Sequence, residues 1–385
     1  MKIVIAPDSF KESLSAMQVA EAIEQGFREI IPQANYIKLP MADGGEGTVE
    51  SMVAATGGKR FTCTVTDPLG QPVEAFWGLL GDGKTAVIEM AAASGLHLVP
   101  LAQRNPLITT SYGTGELILA ALDHGVEKLI LGIGGSATND GGAGMMQALG
   151  ANLTDGDNRP LPSGGVALTR LESINLTNLD PRLSQLEITV ACDVTSPLCG
   201  ESGASAVFGP QKGATPEMIN ILDSALLHYG MKIKTVTGID VLDAAGAGAA
   251  GGMGASLLGC LNAKLQSGVE IVLDILKLEK AIQGADLVIT GEGHMDSQTI
   301  YGKTPIGVAR IANKFGIPVI ALVGGMSKDY DVVHQHGLTA VFSIIPEVCT
   351  LADALADSTD NLHVLARNIA SVWYIARAHK KEGGD

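Results

Sequence analysis

The chain has 385 residues, 46% of them hydrophobic, and a formal net charge of −15, a length that suits about two domains with sizeable cores. Its acidic balance, with no basic run beyond the tail pair Lys380-Lys381, argues against nucleic-acid binding, and no stretch approaches the ~20 apolar residues of a membrane span. Five cysteines without C-x-x-C spacing read as free thiols of a reducing compartment, and MKIVIAPDSFKES does not read as a signal peptide, so a cytoplasmic protein is expected.

Small residues stand in for large ones. The 48 glycines against 4% aromatic residues suggest many close backbone approaches, as at phosphate or carboxylate sites. The apolar runs share a form: a short β-branched strand that stops at Gly, Asp or Ser. Strands of that kind, buried on both faces, belong to parallel sheets covered by helices. Ligands of such sheets bind beyond the carboxyl ends of the strands, so the residues after each strand are the candidates.

KIVIAPDS opens the chain. Beyond its strand, Asp8 is placed to hold a metal or take a proton, with Ser9 beside it, and Lys11 to grip a phosphate as a point charge; the plain alternative is a turn before the next helix. That helix, SLSAMQVAEAIEQGFREI, has Ser15 and Gln18 in capping-box spacing and Val19, Ile23, Phe27 and Ile30 on one face. The strand NYIKLP runs into MADGGEGT, where Asp43, Glu46 and Thr48 alternate with Gly44, Gly45 and Gly47. Such a loop brings amides to an anion and carboxylates to a cation.

The stretch FTCTVTDPLGQPVEAFWGLLGDGKTAVIEM reads as three strands of an antiparallel meander, and a second domain is expected to start near Phe61. Within it, GLLGDGKT (78–85) satisfies the phosphate-loop pattern. The flanks are strand-like on both sides, so no helix N-terminus faces an anion there, and Asp82-Gly83 is expected to form a type I′ hairpin turn instead. The helix TGELILAALDHG then leads to KLILGIGGSATNDGGAG, whose strand fits either sheet. The amides of Gly134, Gly135, Ser136, Ala137 and Thr138 are expected to form an anion nest, with Asn139 and Asp140 beside it and the helix AGMMQALG after it.

Asp193 ends the strand ITVACD. GAGAAG (246–251) matches the dinucleotide fingerprint, but no βαβ unit frames it. After ADLVIT come Glu292, His294, Asp296, Lys303 and Thr304. A carboxylate there can orient Mg²⁺ or accept a hydroxyl proton, and Lys303 can neutralise charge on a transferring phosphate. PVIALVGGMS and AVFSIIPE are further strands. The expected architecture is α/β with two domains. A discontinuous doubly wound parallel sheet spans 1–61 and 270–385, and an inserted second α/β domain with the antiparallel meander spans 62–269.

Taken together, APDSFKESLSA, MADGGEGT, SYGTGELI, GIGGSATNDGG, CDVTSPLCG, GAGAAGGMG and GEGHMDSQTIYGKTP closely resemble the bacterial glycerate kinase family of type 1, the glycerate 2-kinase-like group distinct from the sugar-kinase folds. Glu12 stands where other members tend to have Gly. The resemblance implies a Rossmann-like domain joined to a second α/β domain. It also implies transfer of the ATP γ-phosphoryl group to D-glycerate with Mg²⁺, giving 2-phosphoglycerate, in glyoxylate or sugar-acid catabolism. The partners would be D-glycerate and ATP, with no nucleic acid and no membrane; a homo-oligomer is compatible with it. Chemistry then suggests roles. Residues 134–138, with Ser9, Gly44, Gly45 and Glu292, would cradle phosphates or the glycerate carboxylate. Asp43, Asp193 and Asp296 would hold Mg²⁺. Lys11 and Lys303 would stabilise the transferred group, and Asp8 or Asp193 would take the hydroxyl proton. A 3-phosphoglycerate product, a nicotinamide-dependent oxidoreductase and a hydroxy-acid binding protein are the alternatives.

Overall fold

A computed structural model describes residues 1–45 and 47–382, with side chains through residue 377; Glu46 and the side chains of Lys380 and Lys381 lie outside the described set. The chain is α/β and divides into two compact units, Met1–Asp43 with Glu50–Thr56 and Val269–Asp385, and Gly44–Val49 with Gly57–Gly268.

The first unit holds a five-stranded sheet in the order Ala340–Ser343, Val319–Met326, Leu287–Met295, Lys2–Ile5, Asn35–Lys38. All its pairings are parallel, with Val4 opposite Val288 on one side and Ile37 on the other. Counted within the unit the order is 2-1-3-4-5, so the direction of winding reverses between Lys2–Ile5 and Leu287–Met295. That reversal opens a crevice at the carboxyl ends of those two strands. One helix covering the sheet, Ala16–Ile30, starts at the capping box read from the sequence. The Gln18 amide donates to Ser15 Oγ at 3.3 Å, and the Ser15 amide to Gln18 Oε1 at 2.9 Å. Its buried face of Val19, Ile23 and Phe27 joins Ile3, Ile5 and Leu362 in one core. A Cβ on Gly26 would stand 2.5 Å from the His363 carbonyl oxygen, which is why this helix and Ser358–Glu382 can pack at backbone distance.

The second unit holds a six-stranded mixed sheet in the order Lys264–Gln266, Glu187–Ala191, Lys128–Gly132, Thr85–Glu89, Pro72–Leu79, Lys59–Thr66. The first four strands run parallel. The last two complete the antiparallel meander, with Phe61 opposite Trp77 and the two rings stacked at 4.8 Å. KLILG therefore belongs to this sheet, beside Thr85–Glu89.

GLLGDGKT is a hairpin connection, but of another type than expected. Type I′ needs positive φ at both central residues, and among the non-glycine residues with positive φ Asp82 is absent; Gly83 alone of the pair has it, at 69°. The Gly83 amide donates to the Leu80 carbonyl at 2.9 Å, and Leu80 pairs with Thr85. This is a four-residue loop closed by a left-handed glycine. Asp82 Oδ1 decides it by accepting from the amides of Lys84 and Thr85, each at 2.9 Å, a local side-chain closure that competes with the two-residue turn.

Candidate active site

The site of the first unit is built at its switch point. Pairing continues past the end of Lys2–Ile5: the Ala6 amide donates to the Ile289 carbonyl at 2.7 Å and the Asp8 amide to the Gly291 carbonyl at 2.9 Å. Asp8 is thereby set beside Glu292. On the other flank the Met41 amide donates to the Pro7 carbonyl at 2.8 Å, which carries the chain to Asp43 and puts a second carboxylate near the first.

Asp8 is closely held. Its Oδ1 accepts from the Ser9 amide at 2.7 Å, and its Oδ2 from Thr304 Oγ1 at 2.8 Å. Burial pushes its carboxyl from 3.8 up to about 6, helped by the charge of Asp43 and opposed by the Thr304 and Ser9 hydrogen bonds and by Lys11. Glu292 accepts from Thr299 Oγ1 at 2.7 Å. Burial raises it from 4.5 to about 7; the Thr299 hydrogen bond and Lys303 oppose the rise, whereas Asp8 and Asp296 add to it. Lys303 Nζ lies 3.6 Å from Glu292 and 3.8 Å from Asp296. Asp296 Oδ1 accepts from the Gln298 amide at 2.9 Å and so caps the turn Ser297–Ile300. His294 Nε2 shares a 2.9 Å hydrogen bond with Ser327 Oγ.

A cavity of about 570 Å³ opens at this point, with Asp8, Lys11, Asp43, Glu292, His294 and Lys303 on its polar side. The volume is in the range of small-molecule sites. Ser9 also lines it, and Glu12 at its edge has φ 64°. Glycine adopts this left-handed conformation at less cost than Glu does.

The remaining expected residues belong to the second unit. Asp193 is exposed after Glu187–Ala191, with Oδ1 accepting from the Gly268 amide at 3.2 Å. Gly44 has φ 89°, and a Cβ there would stand 2.8 Å from Gly268 Cα, so close backbone packing requires this glycine. The Gly45 carbonyl accepts from Thr48 Oγ1 at 2.7 Å. Gly134 and Gly135 are exposed in a turn, but Ser136, Ala137 and Thr138 are buried, and the Ala137 amide is engaged by the Ser94 carbonyl at 2.9 Å. The surface available to an anion is therefore narrower than five consecutive amides, because the loop turns inward after its second glycine.

The inward part of the loop is also held by Lys212, which pattern reasoning missed. Its fully buried Nζ donates to Ser136 Oγ at 2.8 Å and to the Thr138 carbonyl at 2.6 Å. Burial pulls its ammonium from 10.5 down to about 7 against the opposing charge of Asp140. No local signal marks this lysine, since Pro-Gln-Lys-Gly reads as a surface turn. Asp140 is also structural: Oδ2 accepts from Ser111 Oγ at 2.8 Å and Oδ1 from the Gly142 amide at 3.0 Å. GAGAAG is a packing segment. Ala250, Gly251 and Gly252 are left-handed in succession, and a Cβ on Gly251 would stand 2.0 Å from the Thr138 carbonyl oxygen.

Among the described residues no group of three or more His, Cys, Asp or Glu side chains is placed to hold a metal ion, and no helix is long and apolar enough to cross a membrane. The profile of the glycerate kinase family matches residues 3–374. The chain belongs to the glycerate kinase family. It is 60% identical over 372 residues to a glycerate kinase of Haemophilus influenzae, covering 97% of this chain and 98% of that one. It is 58% identical over 375 residues to the glycerate 2-kinase of Escherichia coli, with the same coverages, 97% and 98%. A crystal structure of a protein provisionally named glycerate kinase 2, from Salmonella typhimurium, superposes with a TM-score of 0.92 at 60% identity over 98% of this chain and 99% of that one. As a glycerate kinase family member the chain has the two-unit α/β fold described above.

Proposed function

We propose that the protein transfers the γ-phosphoryl group of ATP to D-glycerate and yields 2-phosphoglycerate. The observation that carries this reading is the polar side of the first unit's cavity, where two carboxylates of raised pKa meet two lysines at the switch point of a parallel sheet, in a chain of this family. Phosphoryl transfer asks a protein mainly for positioning and charge neutralisation. Lys11 and Lys303 neutralise the transferring oxygens. Asp8, near 6, is a base of suitable strength for the attacking hydroxyl, and Thr304 holds its carboxylate in one orientation.

Mg²⁺ fits this donor set. The ion is usually held by one or two carboxylates with the remaining positions filled by phosphate and water, so the mutual repulsion between Asp43 and Asp8 suits a cation and no larger cluster is needed. Asp43 would hold it, and it would supply charge neutralisation on the nucleotide phosphates. Asp296, already engaged as a cap and by Lys303, is a weaker candidate ligand. Cytoplasmic location and a role in organic-acid catabolism accompany this reading.

Phosphorus NMR of the protein with ATP, Mg²⁺ and D-glycerate is the test. A new 2-phosphoglycerate resonance with matching ADP is expected. A 3-phosphoglycerate signal would refute the regiochemistry, and unchanged ATP would refute the reading.

A further inference from the structure

The cavity of the first unit is lined by two chemically distinct groups of residues. Besides the charged groups it has an apolar wall formed by Ile344, Ile345, Cys349, Leu351, Ala354 and Leu355. It follows the strand Ala340–Ser343 and includes the helix Leu351–Ala356. The hydroxyls on this side are engaged within the wall itself. Ser13 Oγ donates to the Leu355 carbonyl at 3.2 Å, Ser358 Oγ to the Ala354 carbonyl at 2.7 Å, and Thr350 Oγ1 to Asp353 Oδ2 at 2.6 Å. What remains facing the cavity is apolar side-chain surface.

We propose that this wall is the base-binding subsite for the nucleoside of the phosphate donor. This rests on the reading of the cavity as the ATP site. Glycerate carries an oxygen on every carbon and has no apolar face to set against Leu351 and Leu355. A polyphosphate has none either. A nucleoside triphosphate has one flat, largely apolar end and one highly charged end, and so matches both groups lining a single cavity of about 570 Å³. The base is then held by burial against aliphatic side chains, with the triphosphate directed to Lys11 and Lys303.

Cys349 reports on the wall directly. It is exposed, whereas Cys63, Cys192, Cys199 and Cys260 are half-buried and belong to the other unit. Iodoacetamide alkylation of the full-length protein, followed at Cys349 by peptide mass spectrometry, separates the possibilities. ATP and adenosine, each at about four times its Kd or more, are expected to slow the reaction about fivefold or more, because only the unliganded protein reacts. Tripolyphosphate and D-glycerate are expected to leave the rate within about twofold. Equal protection by tripolyphosphate and ATP would overturn the assignment. So would unprotected Cys349 in a protein that turns over ATP with saturation, an outcome that leaves the kinase reading intact. Failure of that reading shows separately, as absence of ATP consumption in phosphorus NMR. A second variant avoids reliance on the thiol. Leu351 is 72% exposed, so Leu351→Asp leaves the core untouched. It is expected to raise KM for ATP about fivefold while kcat and KM for D-glycerate stay within about twofold; an unchanged KM for ATP would count against the wall.

Discussion

Thr304 Oγ1 donates a 2.8 Å hydrogen bond to Asp8 Oδ2, across 296 positions of sequence. The bond ties the first residue of the helix Thr304–Asn313 to the end of the first strand and lowers a carboxyl that burial has raised. Thr304→Val removes that opposition. The acid limb of the kcat/KM pH profile is expected to move to higher pH, and the loss of a hydrogen bond to a charged group costs about 1.5–3 kcal/mol. An unmoved limb, measured by steady-state kinetics across the acid range, would remove Asp8 from the role of base.

Asp8 also makes stability depend on pH. Its folded pKa of about 6 lies above its ordinary 3.8, so the folded state binds the proton more tightly than the unfolded one. The stabilisation is fully present below the unfolded value and is lost as pH rises through the folded one. Asp8→Asn has no charge to bury. In metal-free protein its thermal midpoint is expected to exceed wild type by about 2–4 °C near pH 8, the shift that ~1 kcal/mol produces in a domain of this size. Near pH 5 the difference should shrink. Calorimetry at the two pH values checks both sign and window.

Lys303 stands between Glu292 and Asp296 with more than a third of its side chain exposed. Lys303→Met is expected to lower kcat by about 10²–10³-fold, the usual cost of losing one charge-stabilising donor, without loss of fold by circular dichroism. Wild-type turnover in this variant would remove Lys303 from the site.

Lys84 carries the phosphate-loop pattern but pairs with Glu127 at 2.7 Å on the exposed hairpin. Lys84→Ala is expected to leave kcat and KM for ATP within about twofold, since exposed ion pairs contribute about 0–1 kcal/mol and no anion is gripped there. A large rise in KM would restore the phosphate-loop reading.

Lys212→Met leaves the Thr138 carbonyl and the Ser136 hydroxyl buried without their partner. A loss of about 1–3 kcal/mol is expected for such an unsatisfied group, together with faster amide hydrogen exchange over residues 134–138. Unchanged exchange would show that the loop holds its inward path without the lysine.

Local chemistry wrote much of this protein in plain view. The Ser15/Gln18 box, the apolar runs, the antiparallel meander and the glycine loops after strands all depend on hydrogen bonds and periodicities within a few residues, which pattern alone can carry. The family could be read from the order of its long motifs. Three things depended on the tertiary structure. Asp8 and Glu292 become neighbours because strand order pairs Lys2–Ile5 with Leu287–Met295. Lys212 reaches the 134–138 loop from a turn with no distinguishing sequence. The Ile344–Leu355 wall gains meaning only because it lines the same cavity as Lys11 and Lys303. Each brings together segments far apart in the chain, where burial and desolvation set the chemistry, and no spacing along the sequence encodes that.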